Sequence, residues 1–403
     1  MIPFQDALAL LAGAARPLPA ERVPLATAQG RFLAAPVVSD VDVPPFDATG
    51  MDGWAVRSAG AREGARLRAL GVVAAGSTPR VAVGEGEALK VMTGAPVPSG
   101  ADAVVPVEDV REDAGWVVVT RAPKAGAHVR RAGEVLRAGC EVLPRGARLT
   151  PAAVAVAAAA GAVDPLVFRR PRAALLVTGE EVVPASALPG PGQIRNSNGP
   201  LLLAALAKAG AVATDLGVAR DEPAALRAVL AAALGAAPDL LLTTGGISAG
   251  DFDLVRAVLE ALGAKVLFHR VAIRPGKPIL AAAAGATLVV GLPGNPVSTA
   301  VGFDLFVRAA LRSMTGRVPP LPPPVPVTLS AEVANRGSRL AFHPARLVPG
   351  EVGYAAEPVA TRGSHDVAAH AAAGALLVLP PEARLRPGAV VPAYLPDPET
   401  TFG

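Results

Sequence analysis

The apolar residues of this chain alternate between two kinds of spacing from residue 172 to residue 314. Continuous apolar runs predict buried strands at 172–178, 212–219, 239–246, 264–273, 278–284 and 286–292. Apolar residues at helical spacing predict helices at 196–210, 222–235, 251–263 and 297–314. Strands that alternate with helices are typical of a doubly wound, mostly parallel sheet. The sequence therefore predicts a central α/β domain over residues 169–317.

Short β-type runs separated by Gly, Pro and Ser lie on both sides of that domain. They predict one small β-domain at 44–137 and a second at 318–403, the latter beginning in the proline-rich linker RVPPLPPPVP. Residues 1–43 start with an amphipathic helix and continue as extended connector. Residues 138–168 contain an alanine-rich helix with proline at its start and glycine at its end. The fold class is thus multi-domain, α/β plus β.

Composition narrows the classes of function. The 403 residues are 51% hydrophobic and 18% charged, which excludes disorder as the main state. The net charge is only +4 and aromatic residues make up 3%, so neither a basic tail nor stacking platforms point to nucleic acid. A single cysteine, Cys140, cannot form an intrachain disulfide, which fits a reducing cytoplasm. The longest uncharged run, 278–303, is interrupted by proline and glycine, so we expect no membrane span.

Candidate chemistry follows the expected strands, at the sheet edge where doubly wound proteins bind ligands. The Thr-Gly-Gly turn brings the backbone N–H groups of Gly245 and Gly246 near a helix start, with Ser248 as a hydroxyl donor, and this favours an anion. Arg274 and Lys277 flank a Pro-Gly turn and suit a dianion or a phosphate. The alternatives are a plain strand-to-helix turn and a solvated basic turn.

The loop LPGNP and a set of carboxylates complete this edge. Pro293, Asn295 and Pro296 predict a rigid binding wall, or alternatively a tight surface turn. Mg²⁺ prefers one or two carboxylates together with phosphates and water. The expected ligands lie at strand ends, and are Glu181, Asp251 and Asp253. The alternative is that these acids complement helix dipoles; Asp221 is expected to cap the helix at 222–235, and Asn198 the helix at 196–210.

Several motifs, taken in order along the chain, resemble one family. They are PFDATGMDGWAV, VMTGAPVPSGADAVVPVE, TGEEVV, NSN, TGGISAGDFD, IRPGKP and LPGNPVS. Together they are similar to the molybdopterin molybdenumtransferases, the family of MoeA and of the E-domain of gephyrin. The resemblance implies four domains. These are an elongated discontinuous domain from 1–43 and 138–168, a β-domain at 44–137, a central molybdopterin-binding domain at 169–317 and a C-terminal β-barrel-like domain at 318–403.

The resemblance also implies an activity. The family inserts molybdenum from molybdate at the dithiolene sulfurs of adenylated molybdopterin and releases AMP, with Mg²⁺ as cofactor. A member is expected to be a cytoplasmic homodimer. Its expected partners are the adenylyltransferase that acts before it and the molybdoenzymes that act after it.

The motifs carry over roles for individual residues. Asp253 matches the essential acid after Thr-Gly-Gly, with Asp251, Glu181 and Asp221 near it in role and expected to hold Mg²⁺ with it; helix capping is the alternative for Asp221. Asp52 of MDGWA and Thr93 of MTGAP are expected to reach the site from the β-domain, across a dimer. The alternative for this pair is turn stabilisation.

The C-terminal domain departs from the family pattern. The family's F-x-R appears as Phe342-His343-Pro344, with Arg346 two residues later. Arg346 is expected to replace the missing arginine, and Ser364 in RGSHD matches the family's G-S-H.

Two other functions fit parts of the sequence. An ATP-dependent molybdopterin adenylyltransferase would keep the central fold, but MDGWA and MTGAP outside that domain argue against it. A non-enzymatic scaffold is the second alternative, which the retained acidic loop residues disfavour.

Overall fold

The computed structural model describes residues 1–246, 254–350 and 353–396. The first strands are β1 Ala20–Arg22, β2 Val37–Val38, β3 Ala48–Thr49, β4 Gly53–Val56, β5 Arg66–Val73, β6 Glu87–Val91, β7 Ala103–Pro106, β8 Val110–Asp113, β9 Trp116–Val119, β10 Val129–Arg130, β11 Glu141–Leu143 and β12 Leu166–Phe168. The central strands are β13 Arg172–Thr178, β14 Val182–Val183, β15 Ile194–Arg195, β16 Val212–Ala219, β17 Leu240–Thr244, β18 Lys265–Phe268, β19 Ile273–Arg274, β20 Leu280–Ala284 and β21 Thr287–Leu292. The last strands are β22 Val325–Leu329, β23 Val333–Ala334, β24 Leu340–Pro349, β25 Tyr354–Pro358, β26 Ala375–Leu379, β27 Arg384–Leu385 and β28 Val390–Tyr394.

The helices fall where the sequence predicts them, except for α8, which no pattern predicts. They are α1 Phe4–Ala14, α2 Pro151–Ala159, α3 Asn198–Lys208, α4 Pro223–Gly235, α5 Leu254–Ala261, α6 Pro296–Gly302, α7 Arg308–Met314 and α8 Val367–Ala371. A π-helical turn, Phe303–Val307, joins α6 to α7, so the helix expected at 297–314 is one irregular rod. Contacts group the chain into a larger unit, Met1–Glu21 with Phe168–Gly403, and a smaller unit, Arg22–Val167.

The smaller unit contains a six-stranded sheet of order β7-β4-β6-β5-β9-β8. Strand β4 carries the buried part of MDGWA and pairs antiparallel with β6 and β7. Gly53 must lack a side chain, because a Cβ there would overlap the Val105 carbonyl oxygen. Trp54 is buried in one of the cores of this sheet. Asp52 is thereby fixed at the start of a central strand.

A second core in the smaller unit joins two distant stretches of sequence. Strand β2 pairs with β11, and Leu33 and Val37 pack in one apolar cluster with Leu149 and Val167. The connector before the β-domain therefore shares a core with the connector after it.

The N-terminal helix belongs to the larger unit. The Phe4 ring lies 5.7 Å from Phe306, 5.1 Å from Phe342 and 6.2 Å from Tyr394, measured between ring centroids. Aromatic packing of this kind adds to the burial of apolar area. Residues 1–21 therefore pack with the central and C-terminal residues, whereas the sequence grouped them with 138–168.

The central sheet of the larger unit has the order β16-β13-β17-β21-β20-β18. Strands β16, β13, β17 and β21 are parallel neighbours, and β20 runs antiparallel to both β21 and β18. The prediction of a mostly parallel α/β domain is confirmed. The strand expected at 264–273 is wrong in its length: β18 ends at Phe268, and Ile273–Arg274 forms β19 in a different sheet.

The C-terminal strands close on themselves. Strands β24, β25, β22, β28 and β26 follow one another, and β24 also pairs with β26. Closure removes unpaired edges. Strand β19 adds to this barrel by parallel pairing of Ile273 with Leu340 and of Arg274 with Ala341. The C-terminal strands therefore form a closed barrel. In the part of the chain that is described, no helix is long and apolar enough to cross a membrane.

Asp239 holds the start of β13, the first long strand of the central sheet, in place. Its carboxylate accepts hydrogen bonds from Arg169 Nη1 and Nη2 at 2.9 and 2.8 Å, and from the Arg172 N–H at 2.7 Å. Burial raises the pKa of Asp239, but the hydrogen bonds and charges of Arg169 and Arg172 outweigh burial and hold it below the usual value.

We predict that Asp239→Asn destabilises the protein by about 2 kcal/mol at neutral pH, because hydrogen bonds to a charged group are lost. The matched control is Glu332→Gln, which also breaks a two-bonded arginine pair but at an exposed site, and should cost below about 1 kcal/mol. Urea unfolding measures both. Since the folded-state pKa of Asp239 is lowered, the difference from wild type should shrink as the pH falls below the usual range of an aspartate. Equal effects of the two variants would contradict the assignment.

Candidate functional site

Gly245 and Gly246 follow β17, and neither position has room for a side chain. Gly245 has φ +90° and Gly246 has φ +62°, a region that favours glycine. A Cβ on Gly246 would lie 2.7 Å from Thr178 Oγ1 and 2.8 Å from Val255 Cγ2. The Gly245 N–H donates to the Leu292 carbonyl at 3.2 Å, so it is used to hold this turn against β21. This N–H is therefore already used within the protein, and its expected role in binding an anion stays a prediction.

Hydrogen bonds from buried side chains hold the LPGNP loop beside that turn. Asn198 Nδ2 donates to Thr244 Oγ1 at 3.0 Å and to the Gly294 carbonyl at 2.8 Å. Thr244 Oγ1 and Thr299 Oγ1 both donate to the Pro293 carbonyl, at 2.9 and 2.5 Å. The loop is thus a fixed wall, as its prolines predict.

The start of α3 differs from the expected cap. Asn196 Oδ1 accepts the Gly199 N–H at 2.8 Å, whereas the Asn198 amide is used in the wall. Asn198 therefore positions the loop, and Asn196 does the capping.

Acidic side chains gather after β13 and β16. Burial raises the pKa of Asp221, and the negative charges of Glu181 and Glu180 raise it further. The Thr178 hydroxyl nearby works in the opposite direction. Asp221 Oδ1 is buried and has no hydrogen-bond partner among the described residues. A carboxylate oxygen placed in this way, with two acids beside it, fits a divalent cation.

Asp221 does not cap α4. Glu222 occupies the N-cap position, and no side chain forms the capping bond there. The other acids expected for a metal, Asp251 and Asp253, lie outside the described residues together with Ser248. Within residues 1–246, 254–350 and 353–396, no three His, Cys, Asp or Glu side chains are grouped to hold a metal.

A cleft of about 690 Å³ lies in the larger unit where β19 joins the barrel. Its polar lining is Arg274, Lys277, Asn295, Ser298, Asn335, Arg339, His343, Thr361, Ser364 and His365. No carboxylate is among the described residues that line it. Three permanent cations without an acid make this a site for an oxyanion.

Backbone pairing and turns position the lining residues. Arg274 lies in β19 beside the barrel, and Gly276, with φ +98°, turns the chain so that Lys277 follows on the same cleft. The Ser364 carbonyl accepts the Val297 N–H at 3.0 Å, which ties the Gly-Ser-His segment to the start of α6.

His343 contributes a neutral imidazole to this cleft. Burial lowers its pKa and the charge of Arg274 lowers it further, while a hydrogen bond with the Val359 carbonyl opposes both. Nε2 lies 3.1 Å from that carbonyl, which can only accept, so Nε2 carries the proton and Nδ1 is an acceptor.

Arg346 is not in the cleft. It lies opposite Glu357 on the exposed side of the barrel, with 3.8 Å between Nη1 and Oε2. The expectation that Arg346 replaces the family's arginine at the anion site is therefore not supported. Arg339, which sequence reasoning missed, lines the cleft instead.

Asp52 and Thr93 meet in the smaller unit. Asp52 Oδ1 accepts the Thr93 N–H at 2.6 Å and the Thr93 hydroxyl at 2.7 Å. The backbone N–H, and after it the hydroxyl, hold the pKa of Asp52 below its usual value. Both residues are exposed, so the pair presents a fixed, charged carboxylate to solvent.

Other residues of the site carried little sequence signal. Thr244, Thr299 and Asn335 are buried hydrogen-bonding residues that local spacing does not mark. A usable signal was the pair Asn196 and Asn198 at the start of α3. One helix start needs a single capping side chain, so the second asparagine is available for another role.

Family models match most of the chain. The MoeA N-terminal region, described as domains I and II, matches residues 2–161. A probable molybdopterin-binding domain matches residues 174–313, and the MoeA C-terminal region, domain IV, matches residues 326–395.

Individual relatives agree with these matches. A molybdopterin molybdenumtransferase of Nostoc sp. is 37% identical over 73% of this chain and 70% of its own length. One from Staphylococcus aureus is 31% identical over 94% of this chain and 91% of its own length. The crystal structure of a molybdopterin biosynthesis MoeA protein from Pyrococcus horikoshii superposes with a TM-score of 0.84 at 28% identity, covering 98% of this chain and all of that one. On these matches, the chain belongs to the MoeA family of molybdopterin molybdenumtransferases.

Proposed function

We propose that this protein transfers molybdenum from molybdate to the dithiolene of adenylated molybdopterin and releases AMP. The observation that carries the proposal is a cleft that contains Arg274, Lys277 and Arg339 and no carboxylate among its described lining residues, in a chain whose relatives are named for this transfer. Molybdate is a tetrahedral dianion, and oxyanions are held by charged N–H donors.

In this reaction the cleft binds and orients molybdate. Arg274 and Lys277 offset its two negative charges, and Ser364 lines the same cleft as a hydroxyl donor. The walls built from Pro293, Asn295 and Pro296 restrict how a substrate enters. Fixing the two reactants in one orientation supplies much of the rate enhancement in such transfers.

The acids after β13 and β16 suit a different part of the substrate. Glu181 and Asp221, with Asp251 and Asp253 from the loop after β17, would hold Mg²⁺ beside the pyrophosphate of the adenylate. Bound there, Mg²⁺ would neutralise phosphate charge and favour departure of AMP. The Asp221 carboxylate, strained by burial and like charges, is stabilised when a cation binds.

The proposal extends to assembly and location. We propose that the protein works in the cytoplasm as a homodimer. It receives its substrate from an adenylyltransferase and passes its product to molybdoenzymes. Exposed Cys140 has no disulfide partner in the chain, which supports a reducing compartment. Cell fractionation tests the location.

Release of AMP tests the function. Purified full-length protein with adenylated molybdopterin and Mg²⁺ should release AMP much faster when molybdate is added. An adenylyltransferase would instead form pyrophosphate from ATP and molybdopterin, and a scaffold would do neither. Pyrophosphate formation, or AMP release that ignores molybdate, would contradict the proposal.

The metal assignment makes its own prediction at Asp221. Asp221→Asn should raise the Mg²⁺ concentration for half-maximal AMP release about tenfold or more, since losing a ligand costs at least as much as losing an outer partner. Without Mg²⁺ the variant should melt higher than wild type, because the folded-state pKa is raised and the charged form is therefore disfavoured.

The control for Asp221 is the adjacent exposed acid, in Glu222→Gln, which should leave the Mg²⁺ dependence unchanged. A lower melting temperature for Asp221→Asn, with normal Mg²⁺ dependence, would contradict the metal assignment and indicate a structural role.

Shared sites in a dimer predict complementation. Asp52 and Asp253 belong to different units of the chain. Asp52→Ala and Asp253→Ala, each inactive, should recover activity when their subunits exchange, up to about a quarter of the wild-type sites for random two-fold pairing. Proven exchange without recovery would mean that each site is built from one chain.

A further inference from the structure

We propose that Arg339 is the third cation that binds molybdate, taking the place expected of Arg346. The inference rests on the proposed function and adds a specific ligand to it. Arg339 lines the cleft with Arg274 and Lys277, whereas Arg346 does not. Pairing of Leu340 with Ile273 brings residue 339 alongside the strand that carries Arg274.

The Arg339 side chain is held in one orientation. Its Nη1 donates to the Ile273 carbonyl at 2.7 Å. This bond uses one of the five N–H donors of a guanidinium, so the planar group still has several for an oxyanion.

The Arg339 backbone is held as well. Its carbonyl accepts Asn335 Nδ2 at 2.8 Å, and the same amide nitrogen donates to the Pro380 carbonyl at 2.8 Å. Asn335 is only 3% exposed, so this anchor is built into the barrel. A preorganised arginine loses little side-chain entropy when it binds an anion.

Arg339 differs from three other arginines of the same domain in its pairing with carboxylates. Arg346 is paired with Glu357, Arg384 with Glu332 and Arg362 with Asp366. Arg339 has no carboxylate partner among the described residues. Its charge is therefore left for a ligand in a cleft whose described lining includes no acid.

The test compares Arg339→Gln, Arg339→Lys and Arg346→Gln in the full-length protein. The measurement is the molybdate concentration for half-maximal AMP release at saturating adenylated molybdopterin, with Lys277→Ala as the positive control. Arg339→Gln should raise it about ten- to a hundredfold, the loss expected for charge-assisted hydrogen bonds. Arg339→Lys should fall between Gln and wild type because it keeps the charge but loses the fork. Arg346→Gln should match wild type.

A purely structural role for Arg339 predicts different results. If Arg339 only joined Ile273 to the barrel, its variants would lower the melting temperature and leave the molybdate dependence unchanged. That result would overturn the proposal, as would a shift confined to the adenylate concentration, or a molybdate shift in Arg346→Gln alone. If Arg339→Gln does not fold, Arg339→Lys decides by the same readout.

Calorimetry with molybdate alone separates this proposal from the proposed function. Wild type should bind molybdate and Arg339→Gln should bind it at least about tenfold more weakly. A wild-type protein that binds molybdate but releases no AMP would contradict the proposed function. The Arg339 proposal would still be decided by the two molybdate affinities. Equal molybdate affinities would refute Arg339 whatever the activity.

Discussion

The parallel pairing of Ile273 with Leu340 and of Arg274 with Ala341 is the contact on which the anion cleft depends. It makes the chain leave the central sheet after β18, add a short strand to the barrel, and return to the sheet at β20. One pairing therefore brings a loop of the α/β domain and a strand of the barrel to the same cleft. The Arg339–Ile273 hydrogen bond reinforces the same junction.

Opposite charges are kept in separate places around the substrate-binding loops. The cleft contains three permanent cations and a neutral histidine, and no acid among its described lining. Acids are instead gathered after β13 and β16, where one carboxylate oxygen of Asp221, Oδ1, is buried without a hydrogen-bond partner in the described part of the chain. If the acids lay in the cleft, they would pair with the arginines and weaken anion binding. Under the proposed function, this separation lets one protein hold an oxyanion and a divalent cation.

Sequence reasoning succeeded where local pattern decides structure. The run RAALLVT is apolar throughout, and β13 has the bounds that the pattern predicts. The alanine-rich helix begins after Thr150, which caps it, with proline at its first position. The acids after β13 and β16 and the hydrogen-bonded LPGNP loop after β21 lie at the carboxyl ends of central strands, where the sequence placed them.

It failed where a distant partner decides. The run at 264–273 is apolar enough for one strand, but its last residues pair with the barrel, which local spacing cannot reveal. Arg346 was chosen by closeness in sequence to the missing arginine, yet it faces Glu357, while Arg339 reaches the cleft from the start of the same strand. Asn198 stands where a capping residue is expected, but its amide donates to Thr244 and to the Gly294 carbonyl instead. These partners lie within reach only in the folded sheet, so local sequence could not reveal them.

The most direct measurement is an anomalous difference map from crystals of the full-length protein grown with molybdate, recorded at the molybdenum edge. The central claim predicts molybdenum in the cleft, with its oxygens in hydrogen-bond reach of Arg274, Lys277 and Arg339. Molybdenum bound at Arg346, or at the acids after β13 and β16, would contradict it.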